Sequence, residues 1–180
     1  MKANEIKDVL LKELYGRGKS FCTTNFSACG LDECDIIMVT ESMMIYEYEV
    51  KCTYSDFKAD FKKTYKHSKL NGTYYKNPTI SSHNNIVHNE EWYLNNTGTI
   101  GCPNHFYYVC KEGLIPVDEV PEYAGLIYVN SSGYSIIKKA RKLHKHKCTE
   151  KLIFQICRAL SARTIFGCSY MHYKNSLTNS

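Results

Sequence analysis

The chain has 180 residues, 43% hydrophobic and 23% charged, with a formal net charge of +5. Those values fit one globular domain, leave little room for two, and exclude a disordered chain. The first twenty residues carry Lys2, Glu5, Lys7, Asp8, Lys12 and Glu13, so no secretory apolar core is expected. The longest apolar runs, 36–39 and 124–129, are too short to cross a bilayer. The expected setting is cytoplasmic, with no membrane partner. The nine cysteines form no zinc-knuckle pattern of two closely spaced pairs, and read as reduced, mostly buried thiols.

In chain order, Ile6, Val9, Leu10 and Leu14 recur at helical spacing, which predicts a helix over 3–15 stopped by Gly16-Arg17-Gly18. A weakly alternating strand is expected at 20–26. Residues 35–40, DIIMVT, read as a strand covered on both faces. Residues 44–51, MIYEYEVK, alternate strongly: Ile45, Glu47, Glu49 and Lys51 share one face, and Met44, Tyr46, Tyr48 and Val50 the other. The short connection between these two strands predicts a hairpin. Thr53 is a helix cap with Asp56 in the first turn; Phe57, Phe61 and Tyr65 form an apolar stripe, and Asp56, Asp60, Lys63 and His67 a polar stripe beside it. Residues 71–100 lose all period and read as a polar insertion. Strands are then expected at 104–110, 124–130 and 134–138, with a turn between Pro116 and Pro121 and a last helix at 149–165. Helix, strands, helix, strands, helix makes an α/β sheet protein.

The residues best suited to chemistry are Asp35 and Glu49-Val50-Lys51. Positions two apart on a strand point the same way, so Glu49 and Lys51 converge, and Asp35 opens the neighbouring strand. Two carboxylates and the Val50 carbonyl are hard oxygen donors of the kind Mg²⁺ or Mn²⁺ takes, and Lys51 beside them would orient water or offset phosphate charge. Glu5-Ile6-Lys7, Asp56-Phe57-Lys58 and Asp60-Phe61-Lys62 repeat the tripeptide pattern, but in expected helices, where such positions diverge. The plainer alternative is a solvated strand face with an ordinary ion pair.

Asp35, then Glu49-Val50-Lys51 on a hairpin, then a helix, resembles the core of the PD-(D/E)XK nuclease superfamily, and within it the MmcB-like DNA repair proteins. The closer resemblance rests on Thr53-Tyr54-Ser55-Asp56-Phe57-Lys58-Ala59-Asp60, on the aromatic strand His105 to Cys110, on Ala124-Gly125-Leu126-Ile127, and on Ile137, Ala140 and Arg141. It covers roughly 33–68 and 104–163. It implies a restriction endonuclease-like mixed central sheet flanked by helices, one domain over 1–180. It also implies metal-dependent hydrolysis of DNA phosphodiesters, with Asp35 and Glu49 as metal ligands and Lys51 as catalytic lysine; with the Val50 carbonyl as the further oxygen donor, the expected cofactor is Mg²⁺ or Mn²⁺ and no small molecule. A first-helix glutamate, Glu5 or Glu13, joins such sites in many relatives. Asp32-Glu33-Cys34 departs from the pattern, which places a basic residue before the aspartate. A catalytically inactive DNA-binding or repair-accessory module on the same fold is the alternative, and a homodimer stays open.

Lys138, Lys139, Arg141, Lys142, Lys145, Lys147 and Lys151 stand against Glu150 alone, so 138–151 carries +6 of a total of +5 and the remainder carries −1. Such a stretch suits the DNA backbone, or serves as a solubilising linker. His67 is expected at a solvated helix end. In the insertion, His83 and His88 make a poor zinc pair, and Tyr74, Tyr75, Trp92 and Tyr93 could stack on bases.

Overall fold

The computed structural model describes residues 1–16, 18, 20–27, 31–71 and 102–166. The insertion, with Tyr74, Tyr75, His83, His88, Trp92 and Tyr93, lies outside the described residues, as do Cys29, Cys168 and the ring of Tyr65. One six-stranded sheet organises the chain. Its strands are β1 (Ser20–Phe26), β2 (Cys34–Thr40), β3 (Ile45–Lys51), β4 (His105–Lys111), β5 (Ala124–Asn130) and β6 (Gly133–Lys138), side by side in sequence order. β1, β2 and β3 form an antiparallel meander, β3, β4 and β5 run parallel, and β6 returns antiparallel. The fold is therefore α/β with a mixed sheet, as expected, and every predicted strand is present.

Helix α1 (Ala3–Gly16) covers one face, seating Ile6, Leu10 and Leu14 on Ile36, Met38, Tyr48, Val50, Val109 and Ile127. The other face has two covers. α4 (Glu150–Phe166) lays Leu152, Ile156 and Ala159 on Phe26, Ile37, Val39 and Ile45. α2 (Tyr54–Asp60) and α3 (Thr64–Asn71) bring Phe57 and Leu70 onto Phe106, Tyr108 and Leu126. Thr53 caps α2 as predicted, its Oγ1 accepting from the Asp56 N–H at 3.0 Å.

Two local expectations are corrected. The stripe drawn from Asp56 to His67 belongs to no single helix: a turn at 61–63 separates α2 from α3 and swings Asp60, Lys63 and His67 toward the sheet. The Glu47–Glu49–Lys51 face is not solvated, since all three side chains are buried against α2 and α3. No disulfide joins two of the described cysteines; Cys34, Cys102, Cys110 and Cys148 are buried, Cys22 is half-buried, and Cys52 and Cys157 are exposed.

Candidate functional site: an acid–lysine cluster and a basic strap

β3 carries Glu47, Glu49 and Lys51 on the face that α3 covers. Lys66 of α3 reaches down between the two glutamates, its Nζ 2.7 Å from Glu47 Oε1 and 3.0 Å from Glu49 Oε2. Lys51 Nζ lies 3.1 Å from Glu49 Oε1 and 3.0 Å from Asp60 Oδ1. Lys63 closes the ring from the solvent side, 3.4 Å from Glu49 Oε1 and 2.9 Å from Asp60 Oδ1. Three carboxylates thus meet three ammonium groups.

Burial charges for every unpaired ion, so the pairing decides each protonation state. Burial would raise the Glu49 carboxyl, yet Lys66 and Lys51 outweigh it and hold it below its ordinary value. Asp60 goes further the same way: burial opposes, but His67, Lys63 and Lys51 hold it far below the usual carboxylate range. Glu47 moves upward, because burial there exceeds what Lys66 returns and Glu49 repels it. Burial would lower Lys66, but the charges of Glu47 and Glu49 raise it well above the ordinary lysine value. Tyr108 donates to Asp60 Oδ2 at 3.1 Å, and burial and the Asp60 charge push its hydroxyl far up. His67, expected in solvent, is instead tied at both nitrogens, Nδ1 to the Tyr123 hydroxyl at 2.6 Å and Nε2 to the Asp60 carbonyl at 3.0 Å.

Asp35 is held elsewhere. Its Oδ1 is 2.6 Å from Lys7 Nζ on α1, and its Oδ2 accepts the Val50 N–H at 2.8 Å. The strand pleat explains the turn. Ile36 and Met38 face α1, whereas Cys34 packs with Ile37 and Val39 under α4, so the alternation slips at Asp35. Directly across, Thr24 pairs with Ile36 and Phe26 with Cys34, and Asn25 between them is left-handed at φ 44°. Asparagine tolerates that region. Both polar side chains then meet Lys7, whose Nζ also donates to Asn25 Oδ1 at 2.7 Å. Convergence of Asp35 with Glu49 is therefore corrected: Asp35 reaches the main chain between Glu49 and Lys51, but its carboxylate serves α1 while theirs serve α2 and α3.

Mg²⁺ and Mn²⁺ need several oxygen donors free to turn toward one point. Here Asp35 is committed to Lys7 and the Val50 N–H, and Glu49 to three lysines, so the donor set as arranged does not fit a divalent cation. Among the described residues no group of three or more His, Cys, Asp or Glu side chains is placed to hold one. Glu5 accepts the Lys2 N–H at 2.8 Å in the first turn of α1, and Glu13 stands beside the Gly133 turn; neither has a contact with Asp35 or Glu49.

The basic stretch forms a strap across the N-terminal ends of the three parallel strands. Ala140 passes close to Gly125 of β5, Leu143 donates to the Asn104 carbonyl at 2.9 Å, and Cys148 donates to the Met43 carbonyl at 2.7 Å. Asn104, fully buried, is the clip. Its Oδ1 accepts from the Ile45 N–H at 2.7 Å, and its Nδ2 donates to the His144 and His146 carbonyls at 3.0 and 2.8 Å. Sequence reasoning passed over Asn104; the available signal was a polar amide opening an aromatic strand. Lys139, Arg141, Lys142, Lys145 and Lys147 stand exposed, with no salt-bridge partner among the described residues. Lys138 departs from the expected binding set, because its Nζ is spent on the Val120 and Pro121 carbonyls at 2.6 and 2.9 Å. The strap and Lys51 lie at opposite ends of β3, about 20 Å apart for seven residues of strand.

Comparison with known proteins adds the fold alone. No protein-family model and no curated protein matches the chain. A solved structure, the SPO1766 protein of unknown function from Silicibacter pomeroyi, superposes with a TM-score of 0.59 at 15% identity, covering 91% of this chain and 90% of that one. No helix among the described residues is long and apolar enough to cross a membrane.

Proposed function

We propose that this chain is a DNA-binding module on a restriction endonuclease-like sheet, gripping the phosphate backbone with its strap. One observation carries the reading: five cations, Lys139, Arg141, Lys142, Lys145 and Lys147, are exposed without acidic partners on a segment that Asn104 fixes in place. Fixed cations on a main-chain rail suit a polyanion and carry no base specificity. The acid–lysine cluster then acts as a polar core that pins α3 to β3. Replacing Arg141, Lys142 and Lys145 with alanine is expected to weaken duplex DNA binding at least tenfold at fixed salt while leaving the melting temperature within a few degrees. Undiminished binding by that variant contradicts the reading.

The second reading is metal-dependent DNA hydrolysis by Asp35, Glu49 and Lys51. The Asp35–Val50 hydrogen bond favours it, since it brings that carboxylate to the backbone between Glu49 and Lys51. Hydrolysis would require Lys7 and Lys66 to release the carboxylates. Calorimetric titration with Mn²⁺ and a cleavage panel of DNA forms separate the two readings. The binding-module reading expects neither metal uptake nor cleavage. Mn²⁺ binding that vanishes in Asp35→Asn, with cleavage lost in Lys51→Ala, establishes the enzyme instead.

A further inference from the structure

A second surface lies beside the strap, on the α1 face of the sheet. α1 leaves uncovered a cleft of about 430 Å³, lined by Met38, Thr40, Tyr46, Tyr48, Tyr107 and Tyr134. Its floor is an array of nearly parallel rings. Tyr46 stacks on His105 with centroids 4.6 Å apart, Tyr48 on Tyr107 at 5.7 Å, and Tyr46 on Tyr48 at 6.5 Å. The array follows from register, because Tyr46 pairs with His105 and Tyr48 with Tyr107 across β3 and β4. Tyr46 and Tyr134 are half-buried and give the cleft its accessible ring surface, while Tyr48 and Tyr107 are buried and support it from beneath.

The adjoining charge says what that surface accepts. His105, stacked on Tyr46, meets the strap backbone at Ala140 and Arg141, and burial and the Lys142 charge lower its pKa. Ala140 of the strap also packs beside Tyr107, its nitrogen and that ring flanking Gly125, so the exposed Arg141 and Lys142 that follow it run along one edge of the tyrosine floor, while the cleft itself is lined by no strap residue. Rings that accept flat apolar surface, next to cations that accept phosphate, are the two components of a single-strand binding surface. At the rim Ser42 and Glu41, the one charged side chain in the lining, can accept from base N–H groups, whereas Thr40 Oγ1 is taken up by the Met44 N–H and Ser42.

We infer that the cleft seats unpaired bases of a DNA strand whose phosphates run along the strap. This rests on the DNA-binding reading and sharpens it, because a duplex engages only the strap, while a single strand also engages the tyrosines. The test is fluorescence anisotropy at fixed salt with a labelled oligothymidylate and with a duplex of equal length. Tyr46→Ala is expected to weaken single-strand binding about tenfold and duplex binding by less than twofold, and Tyr46→Phe, which keeps the ring, to restore it. Should Tyr46→Ala fail to fold, photocrosslinking of the unmodified protein to bromodeoxyuridine-substituted oligonucleotide takes its place, with crosslinks expected at Tyr46 or Tyr134. Unchanged single-strand affinity in a folded Tyr46→Ala, or crosslinks confined to the strap, overturns the inference while duplex binding stands. Absence of binding to either DNA form overturns both readings together.

Discussion

Lys66 is the residue on which the polar core turns. It lies buried between Glu47 and Glu49, and each carboxylate depends on its charge. A buried ion pair contributes little net stability, but removing one partner strands the other. Lys66→Met is expected to cost about 3–5 kcal/mol in urea denaturation, more than removal of Lys139, Lys142, Lys145 or Lys147, which are exposed and have no salt-bridge partner among the described residues. The pH dependence follows from the directions of the shifts. Glu49 and Asp60 are held below their ordinary values of 4.5 and 3.8, so the stability they contribute is complete above those values and is lost as pH falls through the folded ones. Glu47 is raised, so its contribution runs the other way, present in acid and lost as pH rises through the folded value. The unfolding free energy should therefore fall below about pH 4, and Asp60→Asn should flatten that fall. An acid limb identical in Asp60→Asn and the unmodified chain would show that Asp60 is not a main contributor.

At the scale of elements, periodicity carried the strands and the cap because those depend on neighbours in sequence. Glu49 and Lys51 share a face as their spacing requires, and Thr53 caps α2. What spacing does not encode is which helix arrives on a face, so the Glu47–Glu49–Lys51 row reads as solvated until α3 delivers Lys66. Asp35 escaped for a different reason: alternation places it with Ile37, and the left-handed Asn25 on the next strand undoes that alternation. The basic stretch was legible as charge, but its course over three strand ends depends on Asn104, 59 residues from its partner Ile45 by chain and adjacent to it in space. Gly125 shows how tightly the strap is seated. A Cβ there would stand 2.3 Å from a ring carbon of Tyr107 and 2.7 Å from the Ala140 nitrogen. Tyr107 is buried and stacked on Tyr48, and the strap backbone at Ala140 is main chain, so a methyl group there displaces the ring, the strap or both. Gly125→Ala is expected to lower stability by about 1–3 kcal/mol and to weaken duplex binding with it; a folded variant with unaltered affinity would separate strap seating from DNA contact.

For the whole molecule, the arrangement divides labour between the two ends of β3. The end at Lys51 concentrates opposite charges that cancel in the interior, and the end at Ile45 carries the strap, whose cations face solvent. A modest total of +5 thus conceals a localised field, and the sheet is its rigid support. The tyrosine floor borders the strap on the α1 face, so both surfaces assigned to DNA lie on one side of the molecule's charge asymmetry. The most direct measurement is the salt dependence of duplex DNA affinity. Five phosphate contacts predict a slope of about −4 to −5 in log K against log salt, and the Arg141→Ala, Lys142→Ala, Lys145→Ala triple variant should reduce its magnitude by about 2.7. A slope unchanged by the triple variant, or affinity independent of salt, would contradict the account.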